Sequence, residues 1–386
     1  VLGDRAVTTT SAAVTEYVEI LREEIKKSAK DSQGKNLQTV FFGGGTPSLL
    51  PVSYFAEILE TLDKHFGIAA GAEISIEIDP GTFDLDRLQG YQQAGVNRAS
   101  LGVQAFQDEL LQVCGRSHSV ADIMAAIDLV RQVDIANFSI DLISGLPHQT
   151  LEQWQDSLLK AIQIAPQHIS CYDLVLESVT AFGKQYQPGE RPLPSDEMTA
   201  KMYVLASKML REAGYEHYEI SNYARSSYQC RHNRVYWQNQ PYYGFGMGAA
   251  SYVGGRRFTR PRKRSEYYAW VKAGAIINEP EISETDFLLE KLMLGLRLAE
   301  GIATQEIMQQ FGERVLEQIW DCLRPYYKKG WVELVSTQGI IVDRSDSLEL
   351  RLSESWRLSD PEGFLFSNTI LASLFQILAI IDRQHP

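Results

Sequence analysis

Closely spaced cysteines are missing from this chain. It has 4 cysteines in 386 residues, Cys114, Cys171, Cys230 and Cys322, and they lie far apart. No pair has the short spacing that zinc and iron–sulfur sites use. Disulfides are disfavoured in a cytosolic setting, so the thiols read as buried core groups. Long apolar runs are missing too. No stretch suffices to span a bilayer, and the longest candidate, Ile370 to Ile381, reads as a packed helix. The polar, threonine-rich start lacks the apolar core of a signal peptide, which makes a cytoplasmic protein the expectation. Positive charge is scarce, with Lys+Arg 37 against Asp+Glu 49 and a net charge of -12. That balance disfavours nonspecific nucleic-acid binding, which needs clustered cations. Repeats and low-complexity tracts are absent, and 44% apolar content supports a substantial core. The first residue is Val, not Met, so the chain reads as a fragment or as lacking its true start.

What is present is an alternation of strands and helices. Residues 39–42, 73–78, 97–104, 137–143 and 168–174 read as strands. Helical spacing marks 11–29, 51–66, 84–93, 108–113, 119–132, 150–163 and 195–214. This order predicts a parallel sheet with right-handed crossovers, curled into a barrel or partial barrel. The chain starts on a helix, so the barrel's first strand is expected to be missing. An irregular aromatic stretch, 215–254, follows. The best linker candidate is 278–286. Beyond it, helices near 286–298, 303–310 and 313–328, strands at 331–335 and 339–342, and a last helix over 368–383 predict a small α+β module. The expected division is 1–214, 215–280 and 281–386.

The run Thr39 to Phe42 stops at Gly43-Gly44-Gly45-Thr46-Pro47, a junction that bares backbone N–H groups to a ligand. Side chains at the carboxyl ends of barrel strands meet at one mouth. Here those positions give Glu77 and Asp79, Gln104, Asp141, and Tyr172 with Asp173, and Arg116 follows closely. Four successive strands ending in acid or amide groups are hard to explain as packing, because buried charge is costly without a partner. Carboxylates and an amide suit hydroxyl and ammonium donors, and an arginine suits a carboxylate. The mouth is expected to hold a polar small molecule of the kind formed by a ribose bearing an amino acid.

Gly-Gly-Gly-Thr-Pro at 43–47, Glu-Ile-Asp-Pro at 77–80, Gly-Val-Gln at 102–104, Arg116 and Ile-Asp-Leu-Ile-x-Gly-Leu-Pro at 140–147 carry a resemblance. Together they resemble the radical S-adenosylmethionine superfamily and, within it, the oxygen-independent coproporphyrinogen III oxidase family. The match is collinear along nearly the whole chain. Arg231-His232-Asn233-Arg234-Val235-Tyr236-Trp237 is similar to the His-Asn-x-x-Tyr-Trp signature of the family's heme-chaperone branch. The resemblance implies a partial (β/α)6 TIM-like barrel and a winged-helix-like C-terminal module. It implies S-adenosylmethionine on Gly44, Gly45, Thr46, Glu77, Gln104, Arg116, Asp141 and Val175. It makes His232, Asn233, Tyr236 and Trp237 candidates for contact with heme.

The family's Cys-x-x-x-Cys-x-x-Cys motif, which holds a [4Fe–4S] cluster, is not in this chain. Val1-Leu2-Gly3-Asp4-Arg5 resembles the segment just after that motif. A cluster is therefore expected in a complete chain only, and no metal ligands are assigned here. The implied function is a heme chaperone that passes heme to an acceptor protein, with a membrane-associated acceptor and a homodimer left open. The alternatives are a coproporphyrinogen III dehydrogenase of porphyrin biosynthesis and a cluster-free barrel that binds a small molecule.

The aromatic stretch suits a flat macrocycle. His232 reads either as an axial heme ligand or as a structural hydrogen-bonder, whereas His217 reads as packed. His118 and His148 are placed near the mouth without an assigned partner, and His65, His168 and His385 read as surface or core. Arg256 to Arg264 holds six cations in nine residues. It reads first as a solvated loop, with heme propionates or an anionic membrane as the sharper option.

Overall fold

Five strands lie side by side in the order in which the chain makes them. The computed structural model describes residues 12–29, 34, 36–178, 180–187, 189–336, 340–341 and 354–384. Val1 to Arg5, His385 and, of the strand expected over 339–342, residues 339 and 342 lie outside the described residues. The first part of the chain runs α1 (Ala12–Ser28), β1 (Leu37–Phe42), α2 (Val52–Phe66), β2 (Ile68–Ile78), α3 (Leu85–Gln93), β3 (Arg98–Gln104), α4 (Asp108–Val113), α5 (Val120–Gln132), β4 (Asn137–Ser144), α6 (Leu151–Ile164), β5 (His168–Asp173), α7 (Ala181–Gln185) and α8 (Asp196–Glu212). Strands β1 to β5 are parallel neighbours. Two short strands from the stretch expected to be irregular, β6 (Glu216–Glu219) and β7 (Asn222–Ala224), complete a seven-stranded sheet in the order β1-β2-β3-β4-β5-β7-β6. This is the partial barrel expected from the sequence.

Local chemistry sets the element ends. Ser119 and Thr150 cap α5 and α6 in capping boxes with Asp122 and Gln153. Asp84 accepts from the Arg87 N–H and starts α3. The outer face of the sheet is apolar. Phe42, Ile76, Ala99 and Phe138 form one row, and Ile78, Leu101, Ile140 and Ile169 form the next. They bury against Phe55, Leu59, Leu88, Ile127, Trp154 and Leu158 of the covering helices.

The inner face is polar. Its rows read Thr39–Glu73, then Ser75–Arg98–Asn137, then Glu77–Ser100–Ser139–His168, then Asp141–Ser170–Asn222. Barrels of this class usually fill that space with branched apolar side chains. Here the alternation of side chains along each strand puts serine, carboxylate, guanidinium and imidazole inside.

After the sheet come α9 (Arg231–Trp237), the hairpin β8 (Ala250–Val253) and β9 (Arg256–Thr259), and α10 (Arg264–Lys272). The fully buried Glu24 of α1 accepts from the Gly246 N–H at 2.9 Å, Arg260 at 2.7 Å and the Tyr267 hydroxyl at 2.6 Å. The C-terminal module holds α11 (Glu284–Gly295), β10 (Ile302–Ala303), α12 (Thr304–Phe311), α13 (Glu313–Lys328), β11 (Val332–Ser336), β12 (Glu354–Leu358), α14 (Glu362–Leu365) and α15 (Ser367–Gln384). Its small sheet has the order β10-β12-β11, and with α12 and α13 it forms a winged-helix-like unit. Its core, around Leu292, Ile307, Leu323 and Trp356, also takes in Tyr203 of α8. Among the described residues, no helix is long and apolar enough to cross a membrane.

Candidate cofactor-binding site

The glycine turn after β1 is tied to the end of β2. The Gly44 N–H donates to Glu77 Oε2 at 2.9 Å, and the Thr46 hydroxyl donates to Asp79 at 3.4 Å. Gly44 and Gly45 have φ of 82 and 71, which glycine adopts without strain. Arg116 reaches Asp79 at 3.2 Å from the loop after α4. Gln104 ends β3 with φ 68 and is buried. Gly102 is the floor beneath these groups: a Cβ there would meet Asp79 Oδ1 at 2.6 Å and Gln104 Nε2 at 3.1 Å. The structure thus brings Gly44, Thr46, Glu77, Asp79, Gln104 and Arg116 to one mouth.

Asp141 lies on β4, one row nearer the carboxyl ends of the strands than Glu77. It accepts from Ser100 at 2.8 Å and Ser139 at 3.2 Å. Desolvation pushes its carboxyl up, while hydrogen bonds from Ser170, Ser100 and Ser139 and the charge of Arg98 pull it back. Glu77 is also pushed up, by burial first, against the Gly44 hydrogen bond and with the Asp141 and Asp79 charges adding. A mouth that crowds carboxylates in this way favours a cationic ligand. Val175 lies beyond β5 and is 73% exposed. Asp173 accepts from the Ser144 hydroxyl at the end of β5.

His118 belongs to this group, although only its place near the mouth was expected. It is 7% exposed, hydrogen-bonds the Val103 backbone, and lies in the field of Arg116 and Asp79. Burial pushes its imidazole down. Its Nε2 is shielded and has no hydrogen-bond partner in the described structure. His148 is exposed, and its backbone N–H donates to the Pro192 carbonyl.

The His-Asn-x-x-Tyr-Trp segment forms α9 and lies against the inner face of β1. His232 Nδ1 is 2.8 Å from the Thr39 hydroxyl, and its ring stacks on Phe41 at 5.0 Å. Its Nε2 is 2.8 Å from the Tyr236 hydroxyl, and Tyr236 is 37% exposed. Burial takes His232 down to about 4, with the charge of Glu73 opposing, so the ring is neutral near pH 7. Glu73 holds the start of α9 by accepting from the Arg231 and His232 N–H groups at 3.2 and 3.0 Å. Asn233 is half-buried, and Trp237 lies 6.0 Å from the Arg297 guanidinium.

Much of the rest of the aromatic stretch is core. Tyr215, Tyr218, Tyr223 and Tyr252 are buried, and His217 stacks on Tyr223 at 4.0 Å. The basic run is largely spent within the chain. Arg256 pairs with Glu281, Arg257 with Glu290, Arg260 with Glu24 and Lys263 with Glu266. The solvated-loop expectation fails at Arg260, which is 2% exposed and lies 4.6 Å from the Phe258 ring centroid.

Period-2 alternation along each strand is the signal that finds the residues not singled out from sequence: Glu73, Arg98, Ser100, Ser139, His168 and Ser170. The ring of polar groups at strand ends and the half-barrel beneath it define a radical S-adenosylmethionine-type protein. Residues 9–161 match the family model described as Radical SAM superfamily, and residues 282–337 match that of the HemN C-terminal domain. The heme chaperone HemW of Synechocystis sp. is 47% identical over 369 residues, 95% of this chain and 89% of that protein. HemW of Escherichia coli is 33% identical over 360 residues, 92% of this chain and 89% of that protein. The solved structure of coproporphyrinogen III oxidase (HemN) from Escherichia coli superposes with a TM-score of 0.78 at 23% identity, covering 94% of this chain and 83% of that one. The last shows a shared fold. The chain belongs to the HemW family.

Superfamily membership implies S-adenosylmethionine and a [4Fe–4S] cluster. The mouth fits the first group: it offers carboxylates, an amide, an arginine, a glycine turn and the partnerless His118 Nε2. The described residues do not fit the second. Cys114 ends α4, Cys171 lies in β5, Cys230 precedes α9 and Cys322 lies in α13. Cys114 is half-buried rather than in the core, and the other three are buried. Burial pushes all four thiols up, away from the thiolate that iron binds. Among the described residues, no group of three or more His, Cys, Asp or Glu is placed to hold a metal ion.

Proposed function

We propose that this chain is a heme chaperone that holds heme as cargo and passes it to an acceptor protein. The observation that carries the reading is the 47% identity to a heme chaperone along 95% of the chain. The dehydrogenase reading has only a likeness of fold behind it. The mouth holds S-adenosylmethionine, a sulfonium that supplies a reactive methyl and C–S bond when bound. Glu77, Gln104 and Asp141 would accept from its ammonium and ribose hydroxyl groups, Arg116 would pair with its carboxylate, and Val175 would line its adenine. The barrel spans 1–214, its extension 215–280 and the C-terminal module 281–386, in a cytoplasmic protein.

His232 is the heme ligand in this reading, with Asn233, Tyr236 and Trp237 around it. One ring nitrogen is anchored on Thr39 and the other faces the exposed Tyr236 hydroxyl. Metal-binding histidines have one nitrogen oriented by the protein and the other on the metal, so iron would take Nε2 by displacing the Tyr236 hydroxyl. The lowered basicity keeps the ring unprotonated and able to bind iron. Tyr236 competes with iron for Nε2, so Tyr236→Phe raises heme affinity several-fold. His232→Ala lowers affinity and moves the Soret band, both read by titrating heme into the purified chain. A Soret band unmoved in both variants removes His232 as the ligand. No Soret band in the parent chain removes the chaperone reading.

A further inference from the structure

The inner face carries a chain of hydrogen bonds that neither the mouth nor α9 accounts for alone. It runs from Asp141 Oδ1 to the Ser139 hydroxyl at 3.2 Å, then to His168 Nδ1 at 2.8 Å. From His168 Nε2 it continues to the Tyr218 hydroxyl at 2.9 Å, which accepts from the Cys230 N–H at 3.3 Å. Cys230 is the residue before α9. His168 is 2% exposed, Ser139 1% and Tyr218 2%, so these bonds are shielded from bulk solvent.

The direction of the chain follows from its two ends. A carboxylate can only accept, so Ser139 gives its proton to Asp141. The Ser139 oxygen is then left to accept from His168 Nδ1–H. At the other end a backbone N–H can only donate, so the Tyr218 oxygen accepts from Cys230. The Tyr218 proton is left for His168 Nε2. A neutral His168 with its proton on Nδ1 satisfies every partner, and the opposite tautomer leaves two acceptors, Nδ1 and the Ser139 oxygen, facing each other. Arg98, whose guanidinium adds to burial in holding His168 unprotonated, keeps the ring neutral.

We propose that Ser139, His168 and Tyr218 are positioning residues that hold Asp141 as an acceptor aimed at the mouth, with the direction of this relay set at its carboxylate end and its far end tied to the backbone at the start of α9. The proposal rests on the reading of Asp141 as a ligand-holding residue. It deepens that reading by linking the mouth to α9. When a ligand on α9 shifts Cys230, the relay loses its fixed end and Asp141 loses part of its support. Occupancy of the mouth and of α9 is therefore coupled, and the coupling is reciprocal. Asp141 also faces Glu77 from β2, Arg98 and Ser100 from β3, and Ser170, Cys171 and Tyr172 from β5. None of these connects it to α9 through hydroxyl and imidazole.

The first test needs no ligand. In ¹⁵N-labelled chain, His168 shows the neutral Nδ1–H tautomer from pH 6 to 8, and Tyr218→Phe relaxes it toward a mixture. An Nε2–H tautomer in the parent chain overturns the relay. The second test measures S-adenosylmethionine affinity against pH. Ser139→Ala removes one hydrogen bond from the charged form of Asp141, so the acid-side loss of affinity moves to higher pH and binding weakens about tenfold near neutrality. Ser139→Thr keeps the hydroxyl and restores the parent profile. Identical pH profiles for parent and Ser139→Ala overturn the positioning role. If the parent chain binds no S-adenosylmethionine, the reading of the mouth fails, while the tautomer still decides the relay.

Discussion

At the residue scale, Glu219 and His232 show how burial sets charge. Glu219 is fully buried between β6 and the module, accepting from Asn222 and, at 3.4 Å, from the Ser221 N–H. Burial takes its carboxyl up to about 7, beyond what these bonds and Arg297 offset. The folded state then holds a proton that the unfolded chain has released. Stability from this group is present at acid pH and is lost as pH rises from about 4.5 to about 7. The loss is about 3 kcal/mol, at ~1.4 kcal/mol per pH unit. Glu219→Gln removes the titration and forfeits one hydrogen bond. It stabilises the protein by about 2 kcal/mol at pH 8 and not at pH 5, which paired denaturation curves check. A variant with the same effect at both values would refute this account. His232 could be picked out in the sequence by its motif, because the motif concentrates unusual residue types in seven positions. Glu219 could not, because its burial comes from strands that approach only in the fold.

The strand ends were the legible elements. Glu77 and Gln104 fall at or next to the ends of their strands and Asp141 three residues before the end of β4, on runs whose spacing from the intervening helices makes the parallel half-barrel follow from local pattern. The short elements were not legible. β6, β7 and α9 have three to seven residues and take their form from partners distant in sequence. β12 was missed as well, since its pairing with both β10 and β11 supplies what its own sequence does not advertise. Helix α9 makes the dependence measurable. Only seven residues long, it relies on Glu73 to accept its first N–H groups. Glu73→Gln removes the negative charge from that helix start and from the side of Arg98, 4.0 Å away. The expected cost is about 2 kcal/mol, with faster amide exchange over 231–237. Unchanged exchange there would show that β1 alone holds the helix.

For the whole molecule, the two cores are joined by a polar clamp. Asp360, from the module, lies 3.0 Å from His217 Nδ1, accepts from Ser207 at 2.9 Å and pairs with Arg211 of α8 at 3.3 Å. Burial pushes its carboxyl up, but the hydrogen bond and charge of His217, with Ser207 and Arg211, outweigh it, and the net shift is down. Its stabilisation is present above the ordinary aspartate range and is lost as pH falls below it. Asp360→Asn costs about 1 kcal/mol near pH 7, and the 278–286 segment becomes easier to cleave by protease. Cleavage at the parent rate would show that the remaining contacts, through Tyr203, the backbone bonds of Tyr218 and Ile220 with Ala299 and Arg297, and the Arg257–Glu290 pair, suffice to keep the module in place. The polar inner face of the sheet has a consequence for turnover of whatever it holds. Where that face opens at the mouth, Glu77, Asp79 and Arg116 cannot be left dry, because each uncovered group needs a partner. Every departure of a ligand is therefore also an entry of water. Exchange at this mouth is a hydration equilibrium, and solutes that lower water activity favour the occupied state.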